Sequence, residues 1–183
     1  GPIDALLAIR YGQRKAFDGN HNASGELYID KPNLFGGEER EGGVQGYFDV
    51  LFGERTQTEN AYLSSKISGP MPAFRGLVSV IAKKIYYSAM NPYMKDWWFR
   101  PQRNFAREFE WYEAKADING HMNPAHICVD VITSSWGMNR SASEIDLDAF
   151  ESVADVLYDE GFGLSFYWAN ESSCGAFLNM VME

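Results

Sequence analysis

The sequence predicts an α+β fold: a β-rich, antiparallel, barrel-like N-terminal domain over residues 1–116, followed by a small partial α/β domain over 117–183. Two observations carry this. Up to about Asp117, apolar residues recur at strand spacing between turn-forming clusters, and beyond it they recur at helical spacing with caps at both ends. The chain is also 45% hydrophobic and 15% aromatic over 183 residues, enough apolar surface to build a real core.

Ala5 to Tyr11 reads as the first strand, punctuated by Gly12, with Gln13 to Phe17 as its return. Asp18 to Gly25 is made of turn residues and reads as a loop before a short strand at Glu26 to Asp30. Lys31 to Gly43, with four glycines and the charged run Glu38 to Glu41, is a second loop. Val44, Gly46, Phe48, Val50 and Phe52 alternate on one face of a strand, and a polar loop from Gly53 to Glu59 follows. Phe74 to Tyr87 is the longest strand expected, because Val, Ile and Tyr suit a pleated surface. Met94 to Phe99 and Asn104 to Tyr112 continue the pattern, with Pro101 marking an edge or a bulge between them.

The second domain opens with Asn123 as N-cap and Pro124 at the first helical position. Ile127, Cys128, Val131 and Ile132 form the apolar stripe of that helix, and Gly137 ends it. Asp146 caps a second helix whose buried face is Phe150, Val153, Ala154, Leu157 and Tyr158, with Gly161 as its stop. Gly163 to Ala169 reads as a strand, and Ser172 or Ser173 opens a third helix carrying Phe177, Leu178, Val181 and Met182. That helix has no stop signal before Glu183. The domain is therefore expected to continue beyond this segment, leaving Phe177 and Met182 without partners.

A formal charge of −9, from 25 acidic and 16 basic residues, disfavours nonspecific nucleic-acid binding, which needs a basic stripe. Arg100, Arg103 and Arg107, interleaved with aromatics, are the nearest approach to one, but Glu108, Glu110 and Glu113 follow directly. Two cysteines, Cys128 and Cys174, make no disulfide framework. No apolar run is long enough to span a membrane, and Gly1-Pro2-Ile3-Asp4 lacks the features of a leader.

No catalytic, metal or cofactor residues are assigned. His121 and His126 stand five apart near Cys128 and Asp130, whereas one helix face needs a spacing of four. Asp18-x-Asn20-x-Asn22 begins like a calcium loop, but Ala23 and Ile29 occupy the positions of the required glycine and glutamate. Carboxylate pairs such as Glu108 and Glu110, Asp146 and Asp148, or Asp155 and Asp159 occur in any acidic chain. The phosphate-binding glycine motifs and the serine nucleophile elbow are lacking from the sequence. Two further readings stand beside a structural one. Trp97, Trp98, Trp111 and Tyr112 form a stacking platform in a carbohydrate-binding module, and Glu108, Glu110 or Glu113 act in a glycosidase.

Several stretches in order carry a resemblance: Gly1-Pro2-Ile3-Asp4, Phe17-Asp18-Gly19, Phe74-Arg75-Gly76, and Asn91-Pro92-Tyr93-Met94-Lys95-Asp96-Trp97. Asn123-Pro124-Ala125-His126-Ile127, Trp136-Gly137-Met138 and Gly161-Phe162-Gly163-Leu164 then follow. Together they resemble the central tail-hub, or tip attachment (host specificity), proteins of lambda-like long-tailed bacteriophages, prophages and gene transfer agents. The resemblance implies a homotrimeric baseplate hub at the virion tail tip, assembled in the bacterial cytoplasm and contributing to host attachment and DNA delivery. Its implied neighbours are the distal tail protein, the tape measure protein and receptor-binding fibres. No residue here matches a catalytic motif of that family, so no active site is carried over from it.

Overall fold

Strand β1 (Ala5–Tyr11) buries almost every residue, and a strand covered on both faces belongs at the centre of a sheet. It lies there, between β2 (Arg14–His21) and β6 (Trp97–Gln102), antiparallel to both. A second antiparallel sheet has the order β3 (Gly25–Lys31), β4 (Val44–Leu51), β5 (Ser79–Tyr87). The computed structural model describes residues 1–87, 91, 93–103, 111–165, 167–168 and 172–183. Among these are eight strands, in open sheets, and four α-helices. The fold is mixed α and β, and no barrel closes among the described residues.

The chain divides into two compact units, Gly1–Gln102 and Arg103–Glu183. The sequence places the boundary later, near Asp117. The difference arises because Trp111, Tyr112 and Ala116 are not strand residues: they belong with the helices that follow.

In the first unit both sheets share one core. Leu6, Ile9 and Tyr11 of the first sheet meet Leu27, Ile29, Val44, Phe48 and Val50 of the second, with Phe52 beside them. Each such side chain, fully buried, contributes about 1.5–3 kcal/mol. The alternation expected of Val44 to Phe52 is observed, with Val44, Gly46, Phe48 and Val50 turned inward. Three expectations are corrected. Asp18 to His21 are not loop but the end of β2, because a bulge lets the ladder run on to the Leu6–His21 pair. The strand expected from Phe74 starts only at Ser79. Phe74 and Gly76 both take positive φ and turn the chain, and Leu77 donates back to the Phe74 carbonyl. Met94 to Asp96 likewise precede β6. Pro101 sits in that edge strand beside a register shift, as its ring requires. A short helix α1 (Ala61–Lys66) has no counterpart in the sequence reading; the Asn60 side chain caps it by accepting from the Leu63 amide.

β5 carries one more residue than β4 needs. Gln45 pairs with Tyr86 but Tyr47 pairs with Lys83, so the single residue Gly46 of β4 faces two of β5, Lys84 and Ile85. Lys84 takes φ +50° there, and Gly46 leaves room for the backbone of Ile85, which a Cβ would approach to 2.9 Å.

In the second unit the hairpin β7 (Asp117–Ile118) and β8 (His121–Met122) precedes α2 (Pro124–Thr133). Asn123 caps α2 and Pro124 opens it, as expected. The helix stops at Thr133, before Gly137, whose lack of a Cβ lets the chain return to within hydrogen-bond range of Val131. Helix α3 (Leu147–Asp159) is capped by Asp146 and ends before Gly161, at φ +70°. Its expected buried face is only partly so: Ala154 is buried and Phe150 packs on the core, whereas Val153 is exposed. Of the strand expected at Gly163 to Ala169, the described residues show one bridge, between Leu164 and Met122; residues 166 and 169 lie outside the described set. Ser173 caps α4 (Cys174–Met182). The expectation that Phe177 lacks partners is overturned: it is 3% exposed and stacks on Trp168, whereas Met182 is exposed.

Candidate functional site

The outer face of the β3–β4–β5 sheet follows from the alternation that fills the core. With Leu27 and Ile29 turned inward, Glu26, Tyr28 and Asp30 face out; with Val44, Phe48 and Val50 inward, Gln45, Tyr47 and Asp49 face out. Register sets them in rows. Tyr28 lies opposite Tyr47, their rings 4.6 Å apart between centroids and tilted by 38°. The next row is Asp30, Gln45 and Tyr86, in which the Gln45 amide donates to the Asp30 carboxylate at 2.7 Å. On the other side, Lys83 reaches Glu26 and Asp49, both at 2.6 Å. Hydrogen bonds to those two carboxylates raise the Lys83 pKa, against the opposing effect of burial. The three tyrosines are each about half exposed, at 49, 45 and 46% for Tyr28, Tyr47 and Tyr86. None of their hydroxyls has a hydrogen-bond partner among the described residues.

Gln45 and Tyr86 also line a cleft of about 630 Å³, whose other wall is the loop of residues 32–42. That wall is held in place. Phe35 packs on the core, its amide donates to the Gly42 carbonyl at 2.9 Å, and Gly37 bridges Gly42. Lys95 pins the loop from outside, pairing with Glu41 at 2.8 Å and lying over the Phe35 ring. The Lys95 hydrogen bond and charge lower the Glu41 pKa. Gly43 closes the loop where a Cβ would lie 2.1 Å from the Lys31 carbonyl oxygen. Glu38 and Glu39 line the cleft, making it acidic.

No protein-family model and no curated protein matches this chain.

The second unit has its own polar cluster. Asn123, wholly buried, donates to the carbonyls of Lys115 and Ala154 while its side-chain oxygen caps α2. His126 hydrogen-bonds through Nε2 to the Tyr112 carbonyl at 3.0 Å and packs on Trp111; burial lowers its pKa. Asp130 pairs with Arg103 at 3.0 Å, and Arg103 lies over Trp136. The Tyr112 hydroxyl donates to the Asp155 carboxylate. That hydrogen bond, then burial, then the charges of Asp155, Glu151 and Asp159 push its pKa up to about 12. The folded value lies above the ordinary 10.0, so this interaction stabilises the unit fully below pH 10 and is lost as pH rises toward 12. In an absorbance titration of the phenols, the Tyr112 step is expected at about pH 12. Asp155→Ala should lower it, leaving only the contributions of burial, Glu151 and Asp159, and an unchanged titration would contradict the contact.

Most of the described residues singled out from sequence are taken up by packing or pairing within their own unit. Trp97 packs on Tyr11 and Phe48, Trp98 is 60% exposed, and Trp111 is 7% exposed against His126 and Phe150. Trp97 and Trp111 are thus packing residues of two different units, and Tyr112 is committed to Asp155. His121 bonds Ser165, Asp130 is held by Arg103, and no group of three metal-ligating side chains occurs among the described residues. Burial pushes the Cys128 thiol pKa up, away from nucleophilic use. Asp18 pairs with Lys15, which lowers its pKa through a hydrogen bond and charge. Asp146 is a helix cap, and Asp155 and Asp159 flank Lys115. Glu108, Glu110 and Arg107 lie outside the described residues. Among the described residues no helix is long and apolar enough to cross a membrane. Sequence reasoning passed over Tyr28, Tyr47 and Tyr86, although the alternation of Glu26-Tyr28-Asp30 and Gln45-Tyr47-Asp49 already turns two of them outward.

Proposed function

We propose that this chain is a structural component of a phage tail tip, the β-rich body of a baseplate hub that contributes to host attachment and DNA delivery. The observation that carries this is the pair of open three-stranded sheets on one core. Their outer strands, β2 and β6 in one and β3 and β5 in the other, have no further strand beside them among the described residues. Open edges are a liability that proteins cover, and a symmetric ring covers them with neighbouring copies. The barrel-like closure belongs, in this reading, to the ring. The ordered motifs from Gly1-Pro2-Ile3-Asp4 to Gly161-Phe162-Gly163-Leu164 support it, as does an acidic chain, which suits a lumen that DNA passes without sticking. The implied partners are two further copies, the distal tail protein, the tape measure protein and receptor-binding fibres.

Sedimentation of the full-length gene product tests this. A trimer is expected, together with co-purification of a tail protein when the neighbouring tail genes are co-expressed. A product that stays monomeric at every attainable concentration, and captures no tail protein, would overturn the reading.

A further inference from the structure

We infer that the outer face of the β3–β4–β5 sheet, with the adjoining cleft, binds a neutral hexopyranose oligosaccharide. The inference is independent of the hub reading, since sugar binding and trimerisation are separate readouts.

Three features of the face point to this ligand. The first is the aromatic surface. Tyr28 and Tyr47 form a tilted pair on the outer face of the sheet, and Tyr86 stands one row along, lining the cleft. Rows on one face of a strand repeat at roughly 7 Å, and diagonal partners on neighbouring strands lie about as far apart. A short oligosaccharide can therefore lay one ring on the Tyr28–Tyr47 pair and another beside Tyr86. Pyranose rings present apolar C–H faces that stack on such side chains, while their hydroxyls point sideways.

The second is what lies beside the tyrosines. Asp30 and Gln45 sit in the Tyr86 row, and Glu38 and Glu39 line the cleft beyond it. Planar carboxylates and amides next to aromatic rings supply the hydrogen-bond acceptors that sugar hydroxyls need. The tyrosine hydroxyls, without partners of their own, add donors. The cleft, at about 630 Å³, falls in the range of small-ligand sites, and its wall is fixed by Phe35, Gly42 and Lys95, so little ordering is required on binding.

The third is charge. Protein–protein interface cores are depleted of charged residues, whereas here the tyrosines are flanked by Glu26, Asp30, Asp49 and Lys83. A second copy of this chain would bring like-charged carboxylates together. The acidic cleft disfavours sialylated or phosphorylated glycans and nucleic acid. Two rings tilted by 38° on an open sheet face do not make the enclosing cage that a quaternary ammonium group needs. What remains is a neutral sugar.

The test is saturation-transfer NMR on the full chain. The probes are di- and trisaccharides of glucose, galactose and N-acetylglucosamine, with sialyllactose and choline chloride as charged controls. Each is taken to about 10 mM, where a millimolar complex is well populated. At least one neutral oligosaccharide is expected to bind, at least about tenfold more weakly in Tyr47→Ala, the size of one lost stacking contact. Tyr28→Phe should keep most of the affinity, and Trp98→Ala all of it. Retained circular dichroism separates lost binding from lost folding; should Tyr47→Ala misfold, Tyr86→Ala takes its place. The inference falls if no neutral sugar binds, if either tyrosine-to-alanine variant binds as wild type, or if a charged control is preferred. Self-association abolished by Tyr47→Ala, without sugar binding, would assign the face to a second copy instead.

Discussion

Tyr11→Ala is expected to destabilise the first unit by about 3–5 kcal/mol, the range for removing a large aromatic from a packed core. Tyr11 is wholly buried and meets Phe35, Tyr87 and Trp97 through its ring. Those neighbours come from the loop of residues 32–42, from β5 and from β6, so one cavity loosens three segments at once. The hydroxyl has its own role, accepting from the Lys95 amide at 3.0 Å. Tyr11→Phe keeps the ring and leaves that amide without its acceptor, at a cost of about 1 kcal/mol. Hydrogen exchange resolved by peptide is the measurement, because it reads each unit separately. Amides of β1 and β4 should exchange more than about a hundredfold faster in Tyr11→Ala, with α2 and α3 unaffected. Protection in β4 equal to wild type would show that Tyr11 is not the centre of that core.

Asn123→Ala is the counterpart in the second unit, with an expected cost of about 3 kcal/mol. The lost N-cap accounts for about 1 kcal/mol. The rest comes from the carbonyls of Lys115 and Ala154, which both lose a donor, the first in a part-buried place and the second in a buried one. Asn123→Asp separates the two contributions. It keeps an acceptor for the Ala125 amide but has no N–H to give, and it sets a charge beside two carbonyl oxygens. It should be at least as damaging as the alanine variant, measured by exchange of α2 and α3 amides. A milder effect would place the importance of Asn123 in the cap alone.

Much of the first unit was legible where one face of a strand is buried and the other wet. Val44 to Leu51 was found because its periodicity reflects a single core, whereas Ala5 to Tyr11, covered on both faces, shows as an apolar run ended by Gly12. The misplacements share a cause. Asp18 to His21 are turn-formers individually, but pairing with β1 outweighs their preference. Phe74 to Val78 have strand composition yet turn the chain, because Gly76 donates to the Gly53 carbonyl and Phe74 adopts a left-handed backbone. In the second unit the caps at Asn123 and Asp146 were readable, and the third was narrowed to Ser172 or Ser173, since capping is a local exchange between a side chain and the next turn. Burial of Phe177 was not, because its partner Trp168 lies in a segment that reads as a strand.

The tyrosine face was only half legible. Tyr28 and Tyr47 follow from simple alternation, whereas Tyr86 does not. Counting by twos along β5 from the outward Lys83 puts Tyr87 outside and Tyr86 inside. The structure has them the other way round: Tyr87 packs on Tyr11, and Tyr86 is exposed at the cleft. No local property of the two identical side chains could have told them apart.

The surplus residue at Lys84 therefore also determines how this stretch tolerates changes in chain length. Lys84 and Ile85 together fill one inward slot opposite Gly46. Removing Lys84 would leave a regular ladder with Lys83 and Tyr86 still outside and Tyr87 still inside. The same single-codon loss in the middle of β4 would invert every following side chain of that strand, sending core residues to water. Of these two neighbouring strands, one can absorb a frame-preserving deletion and the other cannot, and the aromatic surface is built across both.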